Sequence, residues 1–132
     1  MLMALDVSNT NIDIGILDGY EIKSRFKMST SNYQTSDETG SMIYKFMLFE
    51  GIDPKNLEHI IISSVVPNIM YSLTHGLKKY FGIEPMIVSP EMKTCIKLDM
   101  VLPKERGDNR FVILTSAYHF HKGTAIVIDY GT

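Results

Sequence analysis

The opening stretch, Leu2 to Met28, constrains the fold more than any other part of the chain. Leu2 to Val7 is an apolar run too short for a helix and suited to a buried strand. A polar cluster, Ser8-Asn9-Thr10-Asn11, follows. Ile12, Ile14 and Ile16 then alternate with Asn11, Asp13 and Gly15, the period of two that marks a half-buried strand. Asp18-Gly19 is a hairpin signal. Beyond it, Tyr20, Ile22, Ser24, Phe26 and Met28 share one face, and Glu21, Lys23, Arg25 and Lys27 share the other, which is expected in solvent. The pattern predicts a three-stranded antiparallel meander.

Helical spacing then takes over. Thr35 and Glu38 form a candidate capping box ahead of Met42, Ile43, Phe46 and Met47, with Gly51 as the stop. Asp53-Pro54 is a turn, and the β-branched run His59 to Val66 is a buried strand. Pro67 starts a second helix with Ile69, Leu73, Leu77 and Tyr80 on one face and Gly82 at its end. Met86 to Val88 is a short strand. A third helix is expected from about Lys104 to Lys122, with Phe111, Leu114, Ala117, Tyr118 and His121 inward, and a last strand over Thr124 to Tyr130. The resulting order, βββαβα(β)α and then one more strand, predicts an α/β fold: a mixed sheet with helices on its faces.

Composition narrows the function classes. The net charge is −2, from 13 Lys and Arg against 15 Asp and Glu, which argues against nucleic-acid binding through a strongly basic surface. No apolar run approaches the length of a membrane span, so no membrane partner is expected. The single cysteine, Cys95, permits no intramolecular disulfide and fits a reducing cytoplasm. Met1 to Leu5 reaches Asp6 without a basic segment, unlike a secretory leader.

Three segments have the residue types that phosphate chemistry needs. In Asp6-Val7-Ser8-Asn9-Thr10-Asn11 an acid ends a strand and small polar residues make the turn, so backbone N–H groups, an amide and a hydroxyl can meet phosphate oxygens, while Asp6 can hold Mg²⁺. The same residues also read as a hairpin turn whose Asp makes local hydrogen bonds. Asp129-Tyr130-Gly131-Thr132 repeats the arrangement; alone it is an ordinary strand end, and paired with the first it suggests a nucleotide clamp. Pro103 to Arg110 lies at the start of the third helix, where Arg110 can bind phosphate or carboxylate; equally, it is a charged first turn with Asp108 near the positive dipole end. His119 and His121, two apart on a helix, make a poor metal pair.

Taken in order, these segments resemble type III pantothenate kinases, of the actin, sugar-kinase and heat-shock-protein ATPase superfamily. The family's Asp-x-Gly-Asn-Thr-Asn turn is matched by Asp6-Val7-Ser8-Asn9-Thr10-Asn11, and its Ser-Ser-Val-Val-Pro stretch by Ser63 to Pro67. Its Gly-Ala-Asp-Arg segment is matched by Gly107-Asp108-Asn109-Arg110, and its Asp-Phe-Gly-Thr by Asp129-Tyr130-Gly131-Thr132. The resemblance covers the whole chain. It implies a ribonuclease H-like, actin-like ATPase domain over residues 1–122, with 123–132 as the first strand and phosphate loop of a second domain. It also implies ATP-dependent phosphorylation of pantothenate toward coenzyme A, in a cytoplasmic homodimer. Asp6 would place Mg²⁺, and Ser8, Asn9, Thr10 and Asn11 would line the ATP phosphates. Asp129 would hold a monovalent cation, K⁺ or NH₄⁺, while Gly131 and Thr132 open the second phosphate loop. Gly107, Asp108 and Arg110 would serve the pantothenate end.

The chain departs from the family in three ways. Asn109 stands where the family has the Asp that acts as base toward the pantothenate hydroxyl, and loss of a general base costs about 10²–10⁴ in rate. Asp108 is adjacent, and would substitute only if the backbone there is not yet helical, because one helical step turns a side chain by roughly 100°. Ser8 replaces a Gly, which costs strain if that position needs a positive φ. The family's second domain lies largely beyond Thr132, so the chain alone is expected to be inactive. These residues leave three readings: a kinase half, a catalytically degenerate binding or interaction module, and a structural domain whose motifs are coincidental.

Overall fold

A computed structural model describes residues 1–89, 92 and 108–128, with Asp108 and Asn109 described in backbone only. Five strands form one sheet: β1 (Leu2–Val7), β2 (Asn11–Asp18), β3 (Glu21–Ser29), β4 (His59–Ser64) and β5 (Met86–Ile87), in the order β3-β2-β1-β4-β5. The first three are antiparallel, while β4 runs parallel to β1 and β5 parallel to β4. The mixed α/β sheet and the βββαβα(β)α order expected from the sequence are both present. Among the described residues three α-helices accompany it: α1 (Ser36–Phe49), α2 (Met70–Phe81) and α3 (Asp108–His121).

The core lies between one sheet face and the pair α1 and α2. Met3, Leu5 and Val7 of β1, and Ile12, Ile14 and Ile16 of β2, are all buried there, as their alternation requires. Ile43 and Met47 of α1 and Leu73 and Leu77 of α2 close over them. Each such fully buried aliphatic side chain contributes about 1.5–3 kcal/mol of transfer free energy. The two helices approach closely at Gly40 and Gly76, both buried, where neither backbone has room for a Cβ.

The helix ends follow the local chemistry of the sequence. The Thr35 hydroxyl accepts from Glu38 N, and the Glu38 carboxylate accepts from Thr35 N at 2.8 Å, completing the capping box. At the other end Gly51 N donates to Leu48 O and Ile52 N to Met47 O, with Gly51 at φ +72°: a Schellman stop. Gly82 ends α2 in the same left-handed conformation, at φ +70°. Pro67 begins a single 3-10 turn, Pro67–Ile69, and α2 proper starts at Met70.

Several expectations are corrected. Tyr20 and Ile22 are exposed, not part of the core face. The register shifts where Ile16 pairs with Ser24 but Leu17 pairs with Ile22, leaving Lys23 as an extra bulged residue. One extra residue reverses the alternation, so Ile22 and Tyr20 turn to the opposite face. There Tyr20 stacks on His119 of α3, with ring centroids 6.2 Å apart. The strand expected over His59 to Val66 stops at Ser64, whose hydroxyl accepts from Val66 N at 3.0 Å and turns the chain. In α3 only Phe111 of the expected inward set is buried; Leu114, Tyr118 and His121 are exposed, while Ile113 and Ala117 are half-buried. Lys104 to Gly107 lie outside the described residues. So do Tyr130 and its neighbours, but Thr124–Ile128 is described and is not a strand. Its β-branched residues lie beside no described strand that could satisfy a ladder, and Ile126 is 91% exposed.

Candidate functional site

Strand alternation places Asp6 on the face opposite α1 and α2, since Leu5 and Val7 on either side are buried. It is the penultimate residue of β1. Strands β1, β4 and β5 are parallel, so their carboxyl ends lie along one edge, and the chain leaves β1 toward β2 on one side with β4 on the other. Crevices at such ends are where open α/β sheets bind ligands.

Register pairs bring the neighbours of Asp6 together. Asp6 stands opposite Asp13 on β2 and Ser63 on β4, and Asp13 stands opposite Lys27 on β3. One polar row, Lys27-Asp13-Asp6-Ser63, therefore crosses four strands near the carboxyl end of β1. The Lys27 ammonium pairs with Asp13 Oδ1 at 3.1 Å. Behind the row lies a cleft of about 270 Å³, floored by Ala4, Gly15 and Ile61, rimmed by Asp6, Asp13, Arg25 and Ser63, and roofed by Val112 and Ile113 of α3. Asp13, Arg25 and Lys27 are the site neighbours that the sequence reading did not single out, and Ser63 entered it only as the start of the Ser63 to Pro67 motif. Only cross-strand register reveals them.

The turn after β1 is held on both sides. Ser8 N donates to Asn11 O at 2.9 Å, Thr30 Oγ1 donates to Ser8 O at 2.7 Å, and Thr30 N donates to Thr10 O at 2.9 Å. Just past β4, Val65 N donates to Val7 O at 3.0 Å. Asn9 and Thr10 are exposed at the tip, and Ser8 and Asn11 are half-buried beneath them. The turn projects beyond the cleft and does not line it. Ser8 has no positive φ, because Lys122 is the one non-glycine with that conformation among the described residues. The backbone strain weighed for Ser8 is thus absent.

The remaining expected residues are less close. Arg110 is exposed on α3, two residues before Val112 of the cleft roof. Asn109 and Asp108 fall within α3, whose first residue is Asp108. The non-helical backbone that would let Asp108 stand in for position 109 is therefore not found. Gly107, Asp129, Gly131 and Thr132 lie outside the described residues, as does Cys95.

The chemistry at this edge is that of oxygen donors: carboxylates of Asp6 and Asp13 and the hydroxyl of Ser63. Such a set suits a hard cation. Among the described residues no cluster of three His, Cys, Asp or Glu forms a closed metal cage. No described helix is long and apolar enough to cross a membrane.

Comparison with known proteins gives a consistent match. The profile of the type III pantothenate kinase family matches residues 2–132. A curated type III pantothenate kinase from Agathobacter rectalis is 42% identical over 132 residues, all of this chain and 51% of that protein. The chain thus spans about half the length of that relative. Among solved structures, the ROK hexokinase from Thermus thermophilus superposes with a TM-score of 0.47 at 15% identity, covering 65% of this chain and 34% of the hexokinase chain.

Proposed function

Because the chain belongs to the type III pantothenate kinase family, we propose that it supplies one half of an ATP-dependent pantothenate kinase, the enzyme that opens coenzyme A synthesis. The observation that carries the reading is the position of Asp6. It is exposed at the carboxyl edge of three parallel strands and lies three residues before Asn9 of the Asn9-Thr10 tip.

In this reading the pantothenate hydroxyl oxygen bonds to the γ-phosphorus of ATP, the bond to the β-phosphate oxygen breaks, and ADP leaves. Asp6 would hold Mg²⁺, directly or through water, and a bound ion would supply neutralisation of phosphate charge there. Asn9 and Thr10 offer an amide and a hydroxyl to phosphate oxygens, with Ser8 and Asn11 shaping the turn. Arg110, beside Gly107 and Asp108, holds the pantothenate end. Asp129 holds K⁺ or NH₄⁺, and Gly131 and Thr132 open the second phosphate loop. Asn109 accepts no proton, so the hydroxyl proton passes to solvent or to phosphate. Turnover then rests on positioning and charge stabilisation. Residues 123–132 begin a second domain, and the working enzyme is a cytoplasmic homodimer.

The test is to fuse the chain to the remaining half of the Agathobacter relative and measure phosphopantothenate by mass spectrometry with ATP and Mg²⁺. Product is expected. Asn109→Asp should raise its rate by about 10²–10⁴, and Asp6→Asn should abolish it. No product with either Asn or Asp at position 109 refutes the kinase reading.

Asn109 itself favours a second reading, a binding module without catalysis. Calorimetric titration of the fused protein with pantothenate and with ATP distinguishes the two: binding heat with no turnover, even in Asn109→Asp, selects the module.

A further inference from the structure

We infer that Lys27, acting through Asp13, is a positioning residue for cation binding at Asp6. The inference rests on the reading of Asp6 as the cation-holding residue, and goes beyond it in naming what sets the charge there.

The argument starts from register. Asp6 and Asp13 are direct partners across an antiparallel pair, on the same face and on the rim of the same cleft. Opposite residues in such a pair have Cβ atoms about 4.5–5.5 Å apart, and like charges so placed repel. Two carboxylates at that spacing would act together on a cation and bind it more tightly than either alone. The next strand supplies the counter-charge. Lys27 is the register partner of Asp13, and its ammonium lies 3.1 Å from Asp13 Oδ1, on the side away from Asp6. The pair makes position 13 electrically neutral as seen from Asp6, and holds one Asp13 oxygen toward β3.

A purely structural role does not account for this pair. Both side chains are roughly half exposed, at 56% and 42%, and exposed ion pairs add little to stability. What an exposed pair retains is its local field. A unit charge about 6 Å from a bound divalent cation, at an effective dielectric between that of bulk water and half of it, changes its affinity by about ten- to a hundredfold. Arg25 lies two register pairs along, on the same face, opposite Gly15, and leaves the pairing of Lys27 with Asp13 in place.

The experiment titrates Mn²⁺, as a paramagnetic stand-in for Mg²⁺, into the full chain by electron paramagnetic resonance at fixed ionic strength. Asp6→Asn defines the binding that belongs to the site. Lys27→Met should tighten Asp6-dependent binding by about ten- to a hundredfold, and Lys27→Arg should restore the original affinity. Asp13→Asn combined with Lys27→Met should return close to it, since the neutral pair is replaced by two neutral side chains. Lys23→Met removes a lysine from the same strand, at the bulge, where it pairs with Glu21, and should change nothing. Thermal midpoints of all variants are read alongside and should stay within the range of ordinary surface substitutions. If Asp6-dependent binding is present but Lys27→Met leaves it unchanged, or if adding Asp13→Asn does not cancel the effect, the role of Lys27 is overturned while the site stands. If no Asp6-dependent binding is found, both fall.

Discussion

Gly40→Ala tests whether the fold behind the site depends on the close approach of α1 and α2. In an exposed helix this substitution stabilises by about 1 kcal/mol, because Gly is the poorer helix former. Here the sign should reverse. A Cβ on Gly40 would lie 2.5 Å from Tyr80 Cδ2, 2.7 Å from Gly76 O and 2.9 Å from Gly76 C. The Tyr80 ring can swing away, but the Gly76 carbonyl is helix backbone and cannot. The 2.7 Å approach falls about 0.7 Å short of the 3.4 Å at which ordinary contact begins, so α1 and α2 must part by about that much. Overpacking of this kind costs about 3 kcal/mol at its upper end, and a gap of 0.5–1 Å forfeits a quarter to a half of each dispersion contact along the seam. Subtracting the propensity gain leaves a net loss of about 2 kcal/mol. In a chain this size that lowers the thermal midpoint by roughly 6–10 °C. Urea unfolding followed by far-ultraviolet circular dichroism, with the midpoint compared at constant slope, measures it directly. Gly76→Ala should behave alike, since its Cβ would meet the Ser36 carbonyl and stand 3.0 Å from Gly40 N. The double variant should cost less than the sum, because one separation relieves both clashes. A neutral or stabilised Gly40→Ala refutes the reasoning.

Three further outcomes follow from local chemistry. Thr35→Ala removes the hydroxyl that accepts from Glu38 N, and should cost about 1 kcal/mol in urea unfolding. Hydrogen bonds from the Thr35 backbone and hydroxyl hold the Glu38 carboxyl below its usual value, and Lys79 does the same for Asp37. Both folded values are depressed, so the stability these groups add is complete above the ordinary carboxylate range and is lost as pH falls through the lowered values. Melting midpoints should drop between about pH 5 and pH 3, less steeply in Glu38→Gln. Lys122 ends α3 at φ +46°, a conformation that suits glycine, so Lys122→Gly should raise the midpoint by an amount equivalent to about 0.5–1 kcal/mol.

Much of this protein follows from neighbouring residues alone. The meander, the Thr35–Glu38 box, the Gly51 and Gly82 stops and the βββαβα(β)α order all depend on contacts within a few residues, and each is readable from spacing and residue type. Asp6 and its turn were legible for the same reason: a carboxylate at a strand end and the small polar residues after it are adjacent in the chain. Tertiary structure decided what required distant segments to meet. The bulge at Lys23 reversed the faces of Tyr20 and Ile22, because register depends on the partner strand as well as on the alternation of β3. The weak alternation of α3 left its orientation to the sheet and the Tyr20 contact, so the inward set expected from its sequence failed. Thr124–Ile128 has the residues of a strand, but a strand forms only when its backbone groups find a ladder. The row of Lys27, Asp13, Asp6 and Ser63 joins residues from four strands up to 57 positions apart, and Gly40 faces Gly76 across two helices. Patterning fixes which side of each element is apolar. Only packing fixes which residues of different elements stand opposite one another, and those pairings make the site.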